Sequence, residues 1–193
     1  MASHPKDPIV QAQDPILRKK AAVVAKKDIG SKKILGVIDR MKKALSKEDF
    51  GVAIAAPQIG ESLRIFIIAG KAFVSDEDTK GFDEKERKKT LPDMVFINPE
   101  LLRVSKKTKE MSEGCLSVRG KYGTVMRHEK AAIKALDESG KSFTYQGSGL
   151  IGHIFQHELD HLEGILYTDK TVRLEEDEDL KSARKKVKEK HGL

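Results

Sequence analysis

The segment 156–161, with sequence Gln-His-Glu-Leu-Asp-His, constrains this chain more than any other stretch. His157 and His161 are four residues apart, which on an α-helix is about 40° around the axis, so both imidazoles can reach one metal ion. Glu158 lies beside them, where it can exchange a proton with a water molecule on that ion. The flanking residues are largely apolar, so we expect the polar groups to be buried and to need partners. Two ligands do not make a tight site, and a third must come from elsewhere in the chain.

Length and composition bound the type of protein. The 193 residues suffice for one domain with a real core, which we place at residues 1–170. A single cysteine excludes an intramolecular disulfide, and no signal-peptide pattern follows Met1, so we expect a cytoplasmic protein. No segment approaches the roughly 20 apolar residues of a membrane span, and we expect no membrane partner. The net charge of +7 is too modest to indicate a polyanionic partner by itself.

Hydrophobic spacing predicts two helices and several short strands. The first helix covers 31–45, with Ser31 or Asp28 as its cap, and the second covers 149–166 and carries the His pair. The predicted strands are 63–69, 94–98, 101–104, 123–126, 131–136 and 142–146, with a hairpin turn at 137–140. The charged segment 71–92 is predicted to be an insertion loop, and 171–193 a charged C-terminal helical arm. The fold class is therefore α+β, with short, mostly antiparallel strands packed around the central metal-binding helix.

Three kinds of residue compete for the third ligand position. Tyr167 occupies the place of a third His in one related spacing, but a neutral phenol is a poor ligand. A glutamate in the run 175–178 would give a site like that of a metalloendopeptidase, although this run has a solvated composition. We favour Cys115, the only thiol, because its thiolate completes a Cys-His-His set.

Three segments together resemble the peptide deformylase family. Residues 51–58 resemble its Gly-φ-Gly-φ-Ala-Ala-x-Gln motif, where φ is apolar, 113–117 match Glu-Gly-Cys-Leu-Ser, and 156–161 match Gln-His-Glu-x-Asp-His. The resemblance implies a metal-dependent hydrolase that removes the N-formyl group from the initiator formyl-methionine of nascent polypeptides and releases formate. It also implies one divalent ion, Fe2+ in the cell with Zn2+ or Ni2+ in purified protein, and a monomer. The basic end of the arm adds an expectation of ribosome contact.

The resemblance also assigns roles, residue by residue. The implied metal ligands are Cys115, His157 and His161. Glu158 becomes the general acid and base, while the Gln58 side-chain amide and the Leu116 backbone N–H become donors to the oxyanion. Glu113 is expected to pair with Arg127 and to steady the ligands. The implied substrate-binding residues are Gly51, Val52, Ala53, Leu150 and His153.

The chain departs from the family pattern at three places. Ala53 replaces a glycine where substrate backbone runs close, so its methyl group is expected to crowd the peptide. His153 stands one helical turn before the His pair, where the family has an apolar pocket residue, and 118–122 lacks a proline often found there. Ala53 and His153 leave open a second class of function, a non-catalytic, metal-stabilised binding module. Gln58 and Glu158 favour an enzyme, because such a module has no need of them.

Overall fold

The structure is a computed structural model that describes residues 8–73 and 91–176. This part of the chain contains two α-helices and eight strands, and every pairing between the strands is antiparallel. The helices are α1 (Lys32–Leu45) and α2 (Gly149–Leu162). The strands are β1 (Ala53–Ala55), β2 (Ile65–Ile68), β3 (Met94–Val104), β4 (Thr108–Gly114), β5 (Lys121–His128), β6 (Lys130–Leu136), β7 (Ser142–Ser148) and β8 (Arg173–Glu176). The predicted α+β class is confirmed.

A five-stranded sheet in the order β1-β2-β3-β6-β7 separates the two helices. Its central residues are apolar on both faces, because successive side chains of a strand point to opposite sides. In β2, Ile65 and Ile67 belong to the core cluster that contains the buried face of α1, whereas Phe66 packs in the cluster that contains α2. Phe66 stacks on Phe96 with ring centroids 4.6 Å apart. The His-bearing helix is thereby fixed against a rigid sheet.

Local sequence signals set the ends of both helices. Ser31 caps α1, because its side chain accepts a hydrogen bond from the Ile34 N–H at 3.3 Å. Of the two predicted caps, Ser31 and Asp28, the structure therefore has Ser31. The second helix begins at the predicted residue but ends at Leu162, four residues earlier than predicted. Gly164 follows with φ of +76°, a left-handed conformation typical of the turn after a helix.

The second sheet has three strands, in the order β4-β5-β8. It covers a smaller core cluster made by residues such as Leu17, Val125 and Leu166. No helix among residues 8–73 and 91–176 is both long and apolar enough to cross a lipid bilayer.

Several sequence-based boundaries were wrong. The predicted strands 94–98 and 101–104 are one strand, β3, whose register against β6 shifts between Ile97 and Glu100 and again between Leu101 and Arg103. The sequence did not predict β1 or β4. Residues 173–176, which were assigned to the start of the helical arm, form strand β8 and pair with β5. The rest of that arm, 177–193, and residues 74–90 of the predicted insertion lie outside the described residues.

Candidate metal centre

Helix α2 and the loop after β4 bring three metal-ligating side chains together. The helix contributes His157 and His161, and the loop contributes Cys115, with candidate ligand atoms all within 4.8 Å of one another. The Cys115 Sγ lies 3.2 Å from His161 Nε2, and the two imidazole centroids are 4.9 Å apart. Within the described ranges, these three residues form a group whose ligand atoms are close enough together to hold a metal ion.

Opposite effects set the protonation of the two imidazoles. His157 Nδ1 lies 2.7 Å from Glu113 Oε2 and donates to it, which leaves Nε2 as the ring nitrogen on the side of the ligand cluster. Burial alone would lower the pKa of His157, but hydrogen bonds with Cys115 and Glu113 hold it well above its usual value, so a cation would replace a proton here. Burial holds the pKa of His161 well below its usual value, and its Nδ1 has no hydrogen-bond partner in the described part of the chain. These donors fit a divalent cation.

Glu158 is a buried carboxyl group next to the ligands. Only 3% of the residue is exposed, and its Oε2 has no hydrogen-bond partner among the described residues. Burial raises the pKa of Glu158 to about 7, which places its two protonation states near balance at neutral pH. A carboxyl group in this condition can accept a proton and return it.

Gln58 is held at both ends of its side-chain amide. It follows β1 in a short 3-10 turn, Ala56–Ile59, and its Oε1 accepts a hydrogen bond from the Ala55 N–H at 2.8 Å. This contact assigns the other end as Nε2, which lies 3.2 Å from Ser117 Oγ and 3.5 Å from Cys115 Sγ. The donor therefore faces the ligand cluster in a fixed orientation.

Residues 9–12 brace this side of the centre, a role that the sequence did not indicate. The Val10 N–H donates to the Gln58 carbonyl at 2.8 Å, and Gln11 Nε2 donates to the Leu116 carbonyl at 3.3 Å. The Ala12 N–H donates to the Ser117 carbonyl at 2.8 Å. The N-terminal segment thus links the turn that carries Gln58 to the loop that carries Leu116.

Glu113 is the centre of a buried charge network. Arg127 contacts it through Nε at 2.6 Å and Nη2 at 3.1 Å, and Arg127 Nη1 also contacts Asp160 Oδ2 at 2.7 Å. His153 Nε2 lies 2.8 Å from Glu113 Oε1, in addition to the His157 contact on Oε2. Burial would raise the pKa of Glu113, but the hydrogen bonds from His153, His157 and Arg127 hold it well below its usual value. The sequence did not predict that His153 or Asp160 would join this network.

The other candidate third ligands lie elsewhere. The Tyr167 ring stacks on His157 with centroids 6.2 Å apart, and its hydroxyl donates to the Lys121 carbonyl at 2.9 Å, so it supports the site from outside. Glu175 is exposed on β8 and forms an ion pair with Arg173 at 2.8 Å. Of the rest of that run, Glu178 lies outside the described residues.

A cavity of about 480 Å³ opens beside the ligand cluster. The five residues that the sequence assigned to substrate binding, Gly51, Val52, Ala53, Leu150 and His153, all line it. Strands β1 and β4 also border it, and each is the end strand of its sheet. The Val52 carbonyl accepts from Ala69 on the β2 side, so the polar backbone groups of the next residue, Ala53, point to the free edge. The cavity therefore has the strand edges that an extended peptide can join.

The family model of polypeptide deformylase matches residues 6–177. The chain belongs to the peptide deformylase family. It is 38% identical to a peptide deformylase from Halothermothrix orenii over 173 residues, which is 88% of this chain and 98% of that protein. It is also 37% identical to the chloroplastic peptide deformylase 1A of Solanum lycopersicum over 166 residues, 84% of this chain but 58% of that longer protein.

Solved deformylase structures have the same fold. A peptide deformylase from Legionella pneumophila is 38% identical with a TM-score of 0.69, and the match covers 84% of this chain and 83% of that one. A class I type b peptide deformylase from Acinetobacter baumannii with Met-Ala-Ser bound is 30% identical with a TM-score of 0.71, covering 84% and 96%. Membership of this family makes the chain a hydrolase of the deformylase type.

Ala53, one of the departures from the deformylase pattern, has surroundings that differ from those expected. The residue Ala53 is 8% exposed and belongs to the buried cluster beneath the cavity that also contains Phe66 and Phe155. Its backbone borders the cavity while the residue as a whole is part of the core. The effect of its methyl group on peptide binding stays a prediction.

Proposed function

We propose that the chain removes the N-formyl group of formyl-methionine at the start of nascent polypeptides, with Cys115, His157 and His161 as ligands to one divalent ion. The observation that carries this proposal is the convergence, at one cavity, of this cluster with the buried Glu158 carboxyl group, whose Oε2 has no hydrogen-bond partner among the described residues. A purely structural metal site has no use for such a carboxyl group, because burying it without a partner costs free energy.

The metal would be ferrous iron in the cell, with Zn2+ or Ni2+ in purified protein. A bound cation would supply Lewis acidity to the formyl carbonyl and lower the pKa of the attacking water. Thiolate and imidazole donors suit both iron and zinc, and the general order of affinities favours zinc over iron. We propose iron on the basis of availability in a reducing cytoplasm, and metal analysis of anaerobically purified protein would test it.

Different groups around the cluster serve proton transfer and charge stabilisation. Glu158 accepts the proton of the attacking water and passes it to the departing amine, for which a pKa of about 7 is suited. Gln58 Nε2 and the Leu116 N–H donate to the oxygen that becomes negative when the formyl carbon is attacked. The hydrogen bond between Ala55 and Gln58 fixes this donor before the substrate arrives.

The substrate is proposed to lie extended between the free edges of β1 and β4. The backbone N–H and C=O of Ala53, which point away from β2, supply one side of this contact. The A. baumannii relative was crystallised with Met-Ala-Ser, a peptide that begins with the residue left after deformylation. We further propose a cytoplasmic monomer that contacts the ribosome through the basic residues after Leu180, a proposal that rests on their charge in the sequence.

Turnover of formyl-Met-Ala-Ser tests the function directly. Protein purified without oxygen should release formate and Met-Ala-Ser in equal amounts. Unformylated peptides of several residues serve as the control, and they should stay intact. Internal cleavage of those peptides would identify a metalloendopeptidase, and binding of the formyl peptide without formate release would identify a non-catalytic module.

A further inference from the structure

His153 lies on the face of α2 that borders the cavity. Five α2 residues line the cavity at the spacing of a single helix face: Leu150, His153, Ile154, His157 and Glu158. His153 is therefore between an aliphatic end of the wall and the metal ligands. Its side chain is 10% exposed and is part of the cavity lining.

The imidazole is fixed in place by Glu113. Its Nε2 lies 2.8 Å from Glu113 Oε1, and the carboxylate is held from the other side by Arg127. Because Nε2–H donates to this carboxylate, the ring has its polar hydrogen satisfied inside the wall. The aromatic ring of His153 is thus held in a fixed orientation in a wall that it shares with the aliphatic side chains of Leu150 and Ile154.

The position of His153 matches the first side chain of the substrate. This step rests on the proposed function, which places the formyl carbon at the ligand cluster. The first Cα is then only two bonds beyond the formyl carbon, so its side chain must enter the cavity immediately beside His157. His153 lies four positions before His157 on the helix, a rise of about 6 Å, which is within reach of a long unbranched side chain.

We propose that His153 is a specificity-determining residue that favours a thioether in the first side chain over a hydrocarbon of the same length. A sulfur atom makes favourable contacts with the edge of an aromatic ring, whereas a methylene group in the same place does not. An aliphatic residue at this position would accept both side chains almost equally. The preference is expected to appear in KM, because the contact exists before and during the reaction.

Norleucine tests this proposal, because it replaces the methionine sulfur with a methylene group. The ratio of kcat/KM for formyl-Met-Ala-Ser to that for formyl-norleucyl-Ala-Ser is measured for the parent and for His153→Ile. The variant should lower this ratio about threefold, mainly through KM. His128→Gln is the control, since His128 is not among the residues that line the cavity and contacts the Ser105 carbonyl instead. This control should leave the ratio unchanged.

A second variant separates the ring from its hydrogen bond. Gln at position 153 can still donate to Glu113 but has no aromatic ring, so His153→Gln should keep the metal content of the parent and lose the preference as His153→Ile does. If His153→Gln keeps the parent ratio, His153 acts by positioning Glu113, and the proposal is wrong.

Binding measurements distinguish failure of this proposal from failure of the proposed function. Calorimetry with zinc-loaded protein compares unformylated Met-Ala-Ser with norleucyl-Ala-Ser, so it needs no turnover. A ratio of dissociation constants that shifts in His153→Ile supports the pocket even if the parent releases no formate. Equal ratios in the parent and in His153→Ile, in both binding and turnover, would overturn the proposal while leaving deformylation intact.

Discussion

Cys115 is the residue that separates this site from a metallopeptidase site. Replacing Cys115 with Ser puts a neutral hydroxyl in place of a soft anionic donor, so the variant should lose most of its metal and nearly all formate release. Metal per chain after dialysis gives the result. Glu175→Gln is the control, because Glu175 belongs to the alternative downstream run and is exposed on β8. Full metal in Cys115→Ser with loss in Glu175→Gln would reverse the assignment.

Gln58 is expected to contribute through the transition state. Replacement by Ala should raise the barrier by about 3 kcal/mol, more than a hundredfold in kcat, with little change in KM. Gln146→Ala provides a matched control, because Gln146 is an exposed residue of β7 that contacts Arg103. A Gln58→Ala enzyme with the parent kcat would place the oxyanion donor elsewhere.

The Glu113 network predicts a dependence of stability on pH. The pKa of Glu113 is held low in the folded protein, so its stabilising contribution is present above the unfolded pKa of about 4.3 and is lost as the pH falls below it. Glu113→Gln should lower the free energy of unfolding by about 3 kcal/mol at pH 7, because Arg127 loses a buried partner.

Urea unfolding at several pH values measures this effect. Between pH 5.5 and 3.5 the parent should lose more stability than Glu113→Gln, since the variant has no carboxyl group to protonate at this position. Glu100→Gln, at an exposed position on β3, should follow the parent. Parallel curves for the parent and Glu113→Gln would show that Glu113 has no special role in stability.

The sequence motifs could predict which residues form the ligand cluster but not what supports it. His157 and Glu113 are 44 positions apart and Gln11 and Leu116 are 105 apart, and no local spacing reports contacts between such distant residues. His153 shows the same limit. Its position on the helix predicts a cavity wall, whereas its hydrogen bond to Glu113 depends on where β4 lies.

At the scale of elements, the position of α2 depends on a close approach to β7. A Cβ at Gly152 would lie 2.9 Å from the Gly147 carbonyl oxygen, a backbone atom that cannot move alone. Gly152→Ala should therefore push α2 away from β7, lower the free energy of unfolding by about 2 kcal/mol and weaken metal binding by both helix-borne ligands.

Gly36 offers the matched control for this substitution. It lies within α1, and a Cβ there would have no atom of the described residues within 4 Å beyond the helix's own backbone and its chain neighbours. Gly36→Ala should raise the free energy of unfolding by about 0.5–1 kcal/mol through helix propensity and leave metal content unchanged. Thermal unfolding compares the two variants. If Gly152→Ala is as stable as Gly36→Ala, α2 tolerates displacement from β7.

The hydrophobic pattern of the sequence predicts some strands and does not predict others. Strand β6 contains a run of buried apolar residues and β7 alternates between more and less exposed residues, whereas in β4 the only buried residue is the charged Glu113. A hydrophobic pattern cannot reveal such a strand. Pro99 lies where β3 shifts register against β6, so the sequence around it resembles the end of one strand and the start of another.

At the scale of the whole molecule, three separate parts of the fold meet at one cavity. The turn after β1 brings Gln58, the loop after β4 brings Cys115 and Leu116, and α2 brings the His pair with Glu158. The two sheets and α2 must all be in place before these residues can reach the same cavity. We therefore expect metal binding and deformylation to be separable functions of one assembled site.

Reconstitution of the apoprotein tests whether metal binding and deformylation are separable. After removal of metal with a chelator, Fe2+ is added without oxygen, and formate release from formyl-Met-Ala-Ser is measured against the number of ions bound. Activity should rise in proportion to bound metal up to one ion per chain, and Glu158→Ala should bind one ion and release almost no formate. Formate release that persists without metal would show that the ion has no part in deformylation, and a Glu158→Ala variant as active as the parent would show that Glu158 has none.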